Sequence, residues 1–514
     1  MTLSAMATDY KGNLTVSING EGSTQPATIS IVENAGKYNL SILNFMLGEG
    51  ESVLPVGNIV IENVTGAVAG NLTTLYVNKN ITIQKGNVAG IADDDWLGQM
   101  LGEVPVKMSS SFNTNGFLGV NIDIDMVSTL GQVIKVTFEN VGNHFQMPNS
   151  DFETWSTATD NNAPKHWHGF ESVKGKLSGT AKSKTKLVSS KNVRPGSKGL
   201  TSAVVTSTKV FTVIANGTMT NGVLNAGSMS AADASNHSET DLSSTSKDAN
   251  GDPFATPMYA KPDSVKFWMR FTQAKAQASY PNAAFNAVIT DGTYYQDPEN
   301  KTYTNKVAVA APNKADMTVG DWRLVSCPFD YASYAANGAE AKAILLTVST
   351  NATPGKGSYS NGVADSVYVD DLELVYLADI KSVSFKGATL DLTNTDIDIA
   401  DDDVISASDF VVEKIGEDAK VTTLVEANAK GYQAVISVVS GDLNTQKTLV
   451  FNFNKPVWAD GDVNHDGVVD LADVTLLINK VLGADATQLY NPDVNADGKV
   501  DVADVTTLVS LILG

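Results

Sequence analysis

The sequence predicts a mainly β, multidomain chain that ends in a small α-helical module. Three observations carry that expectation. Apolar and polar residues alternate at period two in many short runs between Leu14 and Phe453, the pattern of half-buried strands. The chain has 514 residues, too many for one core, and that length suggests roughly three to four domains. From Asp462 to Gly514 the period changes to a helical one, and one acidic pattern, D-V-N-x-D-G-x-V-D-x-A-D, is written twice.

The first element spans residues 8–142. Its alternating runs are Leu14, Val16, Ile18; Ile29, Ile31; Leu40, Ile42; Ile59, Ile61; Val120, Ile122, Ile124, Met126; and Val133, Val136, Phe138. Turns fall at Asn19-Gly20, Asn34-Ala35-Gly36 and Gly48-Glu49-Gly50, so the stretch reads as an antiparallel sheet closed into a β-barrel. The runs Ser41 to Phe45, Pro55 to Ile59 and Ile122 to Met126 resemble the calycin-like domain of secreted proteins from anaerobic gut bacteria. The resemblance implies a lipocalin-type barrel holding a small apolar ligand, against the alternative of a barrel filled by its own side chains. Asp93-Asp94-Asp95 reads as a solvated acidic loop, with metal binding as its other reading.

The second element spans residues 143–378. It opens on Pro148-Asn149-Ser150-Asp151-Phe152-Glu153-Thr154-Trp155 and Pro164-Lys165-His166-Trp167, and closes on Val367-Tyr368-Val369-Asp370-Asp371-Leu372-Glu373-Leu374. This bracket, with Arg194-Pro195-Gly196, Val265-Lys266-Phe267-Trp268 and Trp322 between, resembles a domain family named for carbohydrate metabolism, a jelly roll similar to carbohydrate-binding modules. The resemblance implies a two-sheet sandwich whose first and last strands pair, with Phe152 and Trp268 in its core. It also implies a second metal site near that junction, with Asp151, Glu153, Asp370 and Asp371 as candidate ligands for one further calcium ion. Sugar recognition needs aromatic faces beside hydrogen-bonding partners, and Trp167, Tyr294, Tyr295, Trp322 and Tyr331 are the candidate platforms, each competing with a core-packing role. His166-x-His168 offers too few ligands for zinc. Residues 174–198 concentrate seven Lys and Arg194, which reads as a solvated hairpin or as a patch for an anionic glycan. Residues 226–252, rich in Ser, Ala, Asp, Thr and Asn, read as a long mobile loop.

The third element spans residues 379–457. Val383, Phe385, Leu390, Leu392, Phe410, Val412, Val421, Leu424, Val435, Ile436, Val438, Leu449, Phe451 and Phe453 fit an immunoglobulin-like (Ig-like) sandwich.

The fourth element spans residues 459–514, and here spacing dictates chemistry. A hard cation takes six to eight oxygens, and a twelve-residue loop offers them at positions 1, 3, 5, 7 (a backbone carbonyl), 9 and 12. Asp462, Asn464, Asp466, Val468, Asp470 and Asp473 supply the first set; Asp493, Asn495, Asp497, Lys499, Asp501 and Asp504 supply the second. Gly467 and Gly498 stand at position 6, where the chain turns sharply. Two calcium ions are therefore the expected cofactors. Each loop leads into an apolar helical stripe, Val474, Leu477, Ile478, Val481, Leu482 and then Val505, Leu508, Val509, Ile512, Leu513, so both helices share one core. The segment holds ten Asp and no Glu against Lys480 and Lys499, a net of about −8 that should loosen it without metal.

The loops depart from an EF-hand in two ways: aspartate stands at position 12 where glutamate is the rule, and no helix enters the loop. The result resembles a type I dockerin, which implies a calcium-folded plug for a protein partner, of the cohesin kind or another. Well-characterised dockerins often carry Ser/Thr pairs at positions 10 and 11, whereas this chain has Leu471, Ala472, Val502 and Ala503. That apolar patch either docks a partner or lies against the preceding domain. The spacer resembles an accessory module that packs beside some dockerins and would cover Leu471 and Val502.

Net charge is −21 and the pI about 4.6, which argues against nucleic-acid binding. Cys327 is the only cysteine, which excludes an intramolecular disulfide. No apolar run reaches the length of a membrane span, and the opening Met1 to Tyr10 lacks the regions of a signal peptide, so the chain is expected to be mature or truncated. An extracellular or bacterial cell-surface location is inferred from the modules. The nucleophile-elbow, zincin, phosphate-loop and dinucleotide motifs are absent from the sequence. The expected function is a non-catalytic protein of a glycan-degrading bacterium that binds carbohydrate and, through the dockerin, a partner. A glycoside hydrolase acting in polysaccharide catabolism and a cell-surface adhesin are the alternatives.

Overall fold

The computed structural model describes residues 7–48, 53–140, 145–157, 163–184, 187–484 and 489–514. The expected Glu49-Gly50 turn lies outside them. The chain forms two compact units, one of residues 1–382 with 412–422 and 437–448, the other of residues 383–411 with 423–436 and 449–514. Segments of the expected spacer at 379–457 thus fall in both.

The first unit opens with a closed antiparallel barrel of eight strands in chain order: β1 (Ala7–Ile18), β2 (Glu21–Asn34), β3 (Lys37–Leu47), β4 (Leu54–Ala69), β5 (Leu72–Thr82), β6 (Glu103–Asn113), β7 (Leu118–Met126) and β8 (Gln132–Asn140). Closure comes from β1 against β8, with Leu14 opposite Phe138 and Val16 opposite Val136. Closing the sheet removes both exposed edges. Alternation sends Leu14, Ile29, Leu40, Ile61, Leu75, Val106, Val120 and Phe138 into one buried cluster fed by all eight strands. The barrel is filled by its own side chains. Asp93-Asp94-Asp95 forms one exposed 3-10 turn, with Lys85 paired to Asp93.

The segment 437–448 packs on this barrel. Leu72, Val439 and Leu443 form a small buried cluster, Thr74 Oγ1 lies 2.6 Å from Thr422 Oγ1, and Gly119 runs so close to the Leu443 carbonyl that no Cβ would fit.

The central domain is a sandwich of two five-stranded sheets. One has the order Gly320–Pro328, Ser264–Thr272, Ser366–Val375, Ser202–Thr206, Leu187–Ser190; the other joins Thr218–Thr220, Ala343–Ser349, Ala284–Thr290 and Lys306–Ala310, with the short Thr256–Pro257 strand beside Ala343–Ser349. Between them lies the largest core, including Phe152, Trp167, Phe267, Phe271, Phe285, Leu346 and Val369, and Phe267 stacks on Phe285 at 4.1 Å. The opening segment does meet the last strand, through Leu372 N–H donating to the Ser150 carbonyl and a two-way amide pairing of Gln146 with Leu374.

Two expectations fail here. Trp268 is not in the core: Ser264–Thr272 buries Val265, Phe267, Met269 and Phe271, so the pleat turns Trp268 outward. Residues 226–252 are not simply a loop, because Asn236–Thr240 is a strand between Val223–Ala226 and Tyr295–Asp297. Its Ser238 and Thr240 are buried polar residues, so no apolar alternation announces it.

Residues 379–457 contribute a three-stranded sheet (Ala388–Thr389, Asp379–Phe385, Phe410–Ile415) and a four-stranded one (Asp396–Asp398, Gln446–Asn454, Gly431–Val439, Lys420–Asn428). Within the second unit, Phe385, Phe410 and Phe453 pack together, with centroids 4.7 to 5.7 Å apart; Phe410 meets Phe453 edge to face and the other two pairs are tilted. The tail adds two helices, Leu471–Val481 and Val502–Leu513. Among the described residues no helix is long and apolar enough to cross a membrane.

Candidate functional site: twin acidic loops and a central sandwich

The two loops of the tail repeat each other bond for bond. Position 12 closes each loop: Asp473 Oδ1 accepts from Asn464 N–H at 3.1 Å and Oδ2 from Asp470 N–H at 2.9 Å, while Asp504 accepts from Asn495 at 3.1 Å and Asp501 at 2.8 Å. Position 1 holds the turn. Asp462 Oδ2 accepts from Gly467 N–H at 2.9 Å and Asp493 Oδ2 from Gly498 N–H at 2.8 Å. Left-handed backbone recurs at positions 4 and 6, at His465 and Gly467 and again at Ala496 and Gly498. Asp470 and Asp501 cap the following helices by accepting from Ala472 and Ala503 N–H.

Aspartate at position 12 serves this frame well, because the shorter carboxylate doubles as the N3 partner of a capping box. Asp473 and Asp504 are fully buried, and their recorded hydrogen bonds come from backbone N–H groups. Among the described residues no three Asp, Glu, His or Cys side chains converge as a metal cluster. The donor set itself fits calcium: every candidate atom is a hard oxygen, and the loop has the turn glycine.

A stack of three rings ties the loops together. His465 lies 4.4 Å from Trp458 on one face and 3.9 Å from Tyr490 on the other, with interplanar angles of 18° and 11°. Beneath it, Val463, Val474, Leu477 and Leu508 are the buried core, while Leu482 and Leu513 at the ends of the helical stripes are exposed.

Leu471 and Val502 are 73% and 66% exposed. The expectation that the spacer covers them is therefore wrong: each is the first residue of its helix and projects away from the small core.

In the central domain the candidate sugar platforms separate. Trp167 is completely buried, its indole N–H directed at the Pro148 and Asn149 carbonyls, and Tyr295 is buried against Tyr303; neither can stack on a sugar. Tyr331 is half-buried and its hydroxyl donates to the Pro262 carbonyl at 2.7 Å. Tyr294 is exposed, 3.1 Å from Glu239 through its hydroxyl, and Trp322 is half-buried. Sequence reasoning missed the companions of Trp322. Tyr368 lies 6.2 Å from it, Arg270 sits over Tyr368, and Trp268 on the same strand as Arg270 carries Arg194 over its ring. The signal was available in the pleat, since positions 268 and 270 alternate with the buried 267, 269 and 271.

Asp151, Glu153 and Asp371 line one open cleft of about 1020 Å³ together with Arg194, while Asp370 is fully buried. Glu153 Oε1 accepts from Leu200 and Thr201 N–H, both at 2.9 Å. Arg194 serves two of the other three acids, its backbone N–H donating to Asp370 and its guanidinium to Asp371. Burial pushes the Asp370 carboxyl up to about 6. His168 is buried against Phe254, and that burial holds its imidazole below the usual value despite the nearby Asp248.

A second cleft, of about 780 Å³, is lined by Glu171 and Glu239. Burial pushes Glu171 up to about 7. Glu239 experiences burial too, but His237 at 2.8 Å and the Lys174 ammonium outweigh it and hold its carboxyl low.

With this geometry in hand, the comparisons divide the chain. Residues 6–141 match the family model of the calycin-like beta-barrel domain. Residues 460–513 match that of the dockerin type I domain. No curated protein matches the chain. Among solved structures, a candidate outer membrane protein from Bacteroides fragilis NCTC 9343 is 9% identical, with 67% of this chain and 96% of that one covered and a TM-score of 0.18. PNGF-II is 8% identical, with 73% and 69% covered and a TM-score of 0.14. Scores this low carry no argument about fold or function. The dockerin match does: type I dockerins are calcium-binding modules for protein partners, so this tail is a partner-binding module.

Proposed function

We propose that this is a secreted or cell-surface, non-catalytic protein of a glycan-degrading bacterium, which docks a cohesin-like partner through its calcium-loaded dockerin and binds carbohydrate through its central sandwich. One observation carries the docking half: two equivalent loop frames present Leu471 and Val502, both apolar and both exposed, at the same position. Asp462, Asn464, Asp466, Asp470, Asp473 and the Val468 carbonyl would hold one ion; Asp493, Asn495, Asp497, Asp501, Asp504 and the Lys499 carbonyl would hold the other. Bound there, the ions would supply fixed positive charge to offset the carboxylates, and the chain supplies the turn, the caps and the apolar rim. The carbohydrate half is supported by the outward face of Trp268, Trp322 and Tyr368, where Arg194 and Arg270 stand beside aromatic rings.

A catalytic reading draws on Glu171 and Glu239, one carboxyl pushed up to about 7 and one held low on the same cleft, the kind of divergence a glycosidase needs. Against it, Glu171 Oε2 is sealed from solvent and Oε1 is held by Gly169 N–H, so neither faces a leaving group.

Surface plasmon resonance of the full chain on an immobilised type I cohesin tests the docking half. Binding should require calcium, and Leu471→Asp with Val502→Asp should weaken it at least about a hundredfold with helical circular dichroism unchanged, since central apolar anchors dominate interfaces. Equal binding in a chelator, or by the double variant, would refute it. A glycan array tests the other half: no retained glycan removes it, and reducing ends released from a bound glycan replace it with the catalytic reading.

A further inference from the structure

The central domain contains an apolar cavity of about 380 Å³ that neither the dockerin nor the carbohydrate reading uses. Its floor is the outer face of the Ala284–Thr290 and Ala343–Ser349 sheet, where Asn286, Thr347 and Ser349 alternate with the core residues Phe285, Val348 and Leu346. An outer sheet face ordinarily meets water. Here the helix Ser178–Lys182 and the strands Val213–Ala215, Val223–Ala226 and Asn236–Thr240 contribute the other walls, with Phe170, Leu177, Val213, Leu224, Met229 and Pro298 as the apolar lining.

Three ionisable residues border this space: Lys184, whose ammonium has no hydrogen-bond or ion-pair partner among the described residues, His237 and Asp297. Both ring nitrogens of His237 are engaged, Nδ1 at 2.8 Å from the Ala234 carbonyl and Nε2 at 2.8 Å from Glu239. Asp297 accepts from Asn286 Nδ2 at 3.1 Å, and burial raises its carboxyl above the usual range. Three lining residues carry a buried polar atom that has no hydrogen-bond partner among the described residues: Asn216 Oδ1, Ser238 Oγ and Thr347 Oγ1. Asn216 spends its amide on Ser349 Oγ and the Asn351 carbonyl, which leaves only the acceptor. Buried polar groups are rarely left unmade, because desolvating them without a partner is costly. An apolar space of this volume, bordered by a few unmet polar atoms, is the form that small-molecule sites take.

We propose that this cavity binds a small molecule with a largely apolar body and one or two hydroxyl groups. The size and lining set the body, and Ser238 and Thr347 are the polar anchors. The claim is independent of the sugar platform, which lies on the other sheet.

Two probes with one ring system test it on the full chain: 1-naphthol and naphthalene. 1-Naphthol should bind with one-to-one stoichiometry by fluorescence titration, more tightly than naphthalene. Leu224→Trp, which fills the space, should weaken naphthol at least tenfold. Thr347→Val with Ser238→Ala removes two unmet hydroxyls at nearly constant shape, so naphthol should weaken about fivefold while the thermal midpoint holds or rises. This second variant keeps the test valid if Leu224→Trp fails to fold. No saturable naphthol binding, naphthalene binding as tightly as naphthol, or an affinity untouched by the hydroxyl pair would overturn the proposal.

Discussion

The barrel and the dockerin are stabilised by opposite means. The barrel draws buried residues from eight strands into one cluster, among them Ile29, Leu40, Ile61, Leu75 and Met108 with no exposed surface. Among its described apolar side chains the dockerin buries only Val463, Val474, Leu477 and Leu508, yet it packs acidic side chains around two turns. Apolar burial needs nothing from solution, whereas a module with so small a core and a net charge of about −8 depends on its ligand for rigidity.

The sharpest way to break this contrast is to remove calcium. Two sites loaded at a thousandfold excess over their dissociation constants would each contribute about 4 kcal/mol. A chelator should therefore abolish the helical signal of the dockerin and leave the barrel folded; Asp473→Ala should reproduce half of the effect, seen as loss of one equivalent in a calcium titration. Protease resistance of residues 459–514 that is indifferent to chelation would end the comparison. Next in size, Leu40→Ala should cost the barrel about 2–5 kcal/mol in a denaturant melt, with calcium making no difference. The smallest effect is set by pH at Glu171. Its folded carboxyl titrates near 7, above its unfolded value, so stability is full below about pH 4.5 and declines as pH rises through 7. Glu171→Gln should flatten that decline and gain no more than about 3 kcal/mol at pH 8.

What could be read from the sequence follows the same division. The barrel was legible because alternation reports directly on which side of a strand is buried, and the loops because coordination fixes residue types at fixed offsets. Where both faces of an element are covered, alternation loses its meaning. Asn236–Thr240 is such a strand, polar and buried, and the cavity beside it is assembled from segments as distant as Phe170 and Pro354, so no local pattern could have revealed it. Aromatic residues misled for a related reason. Trp167 and Trp268 are chemically alike, but one fills the sandwich and the other faces out, a choice fixed by pleat and turn rather than by side-chain identity. The apolar character of Leu471 and Val502 was visible in the sequence, and only their exposure ruled out cover by the spacer.

The imidazole sandwich of the dockerin has a consequence for dissecting it. Trp458 precedes the first repeat, His465 lies inside it and Tyr490 leads into the second. A fragment ending after the first helix leaves one side of that imidazole bare, so the first repeat cut away from the second lacks a packing partner that the pair supplies.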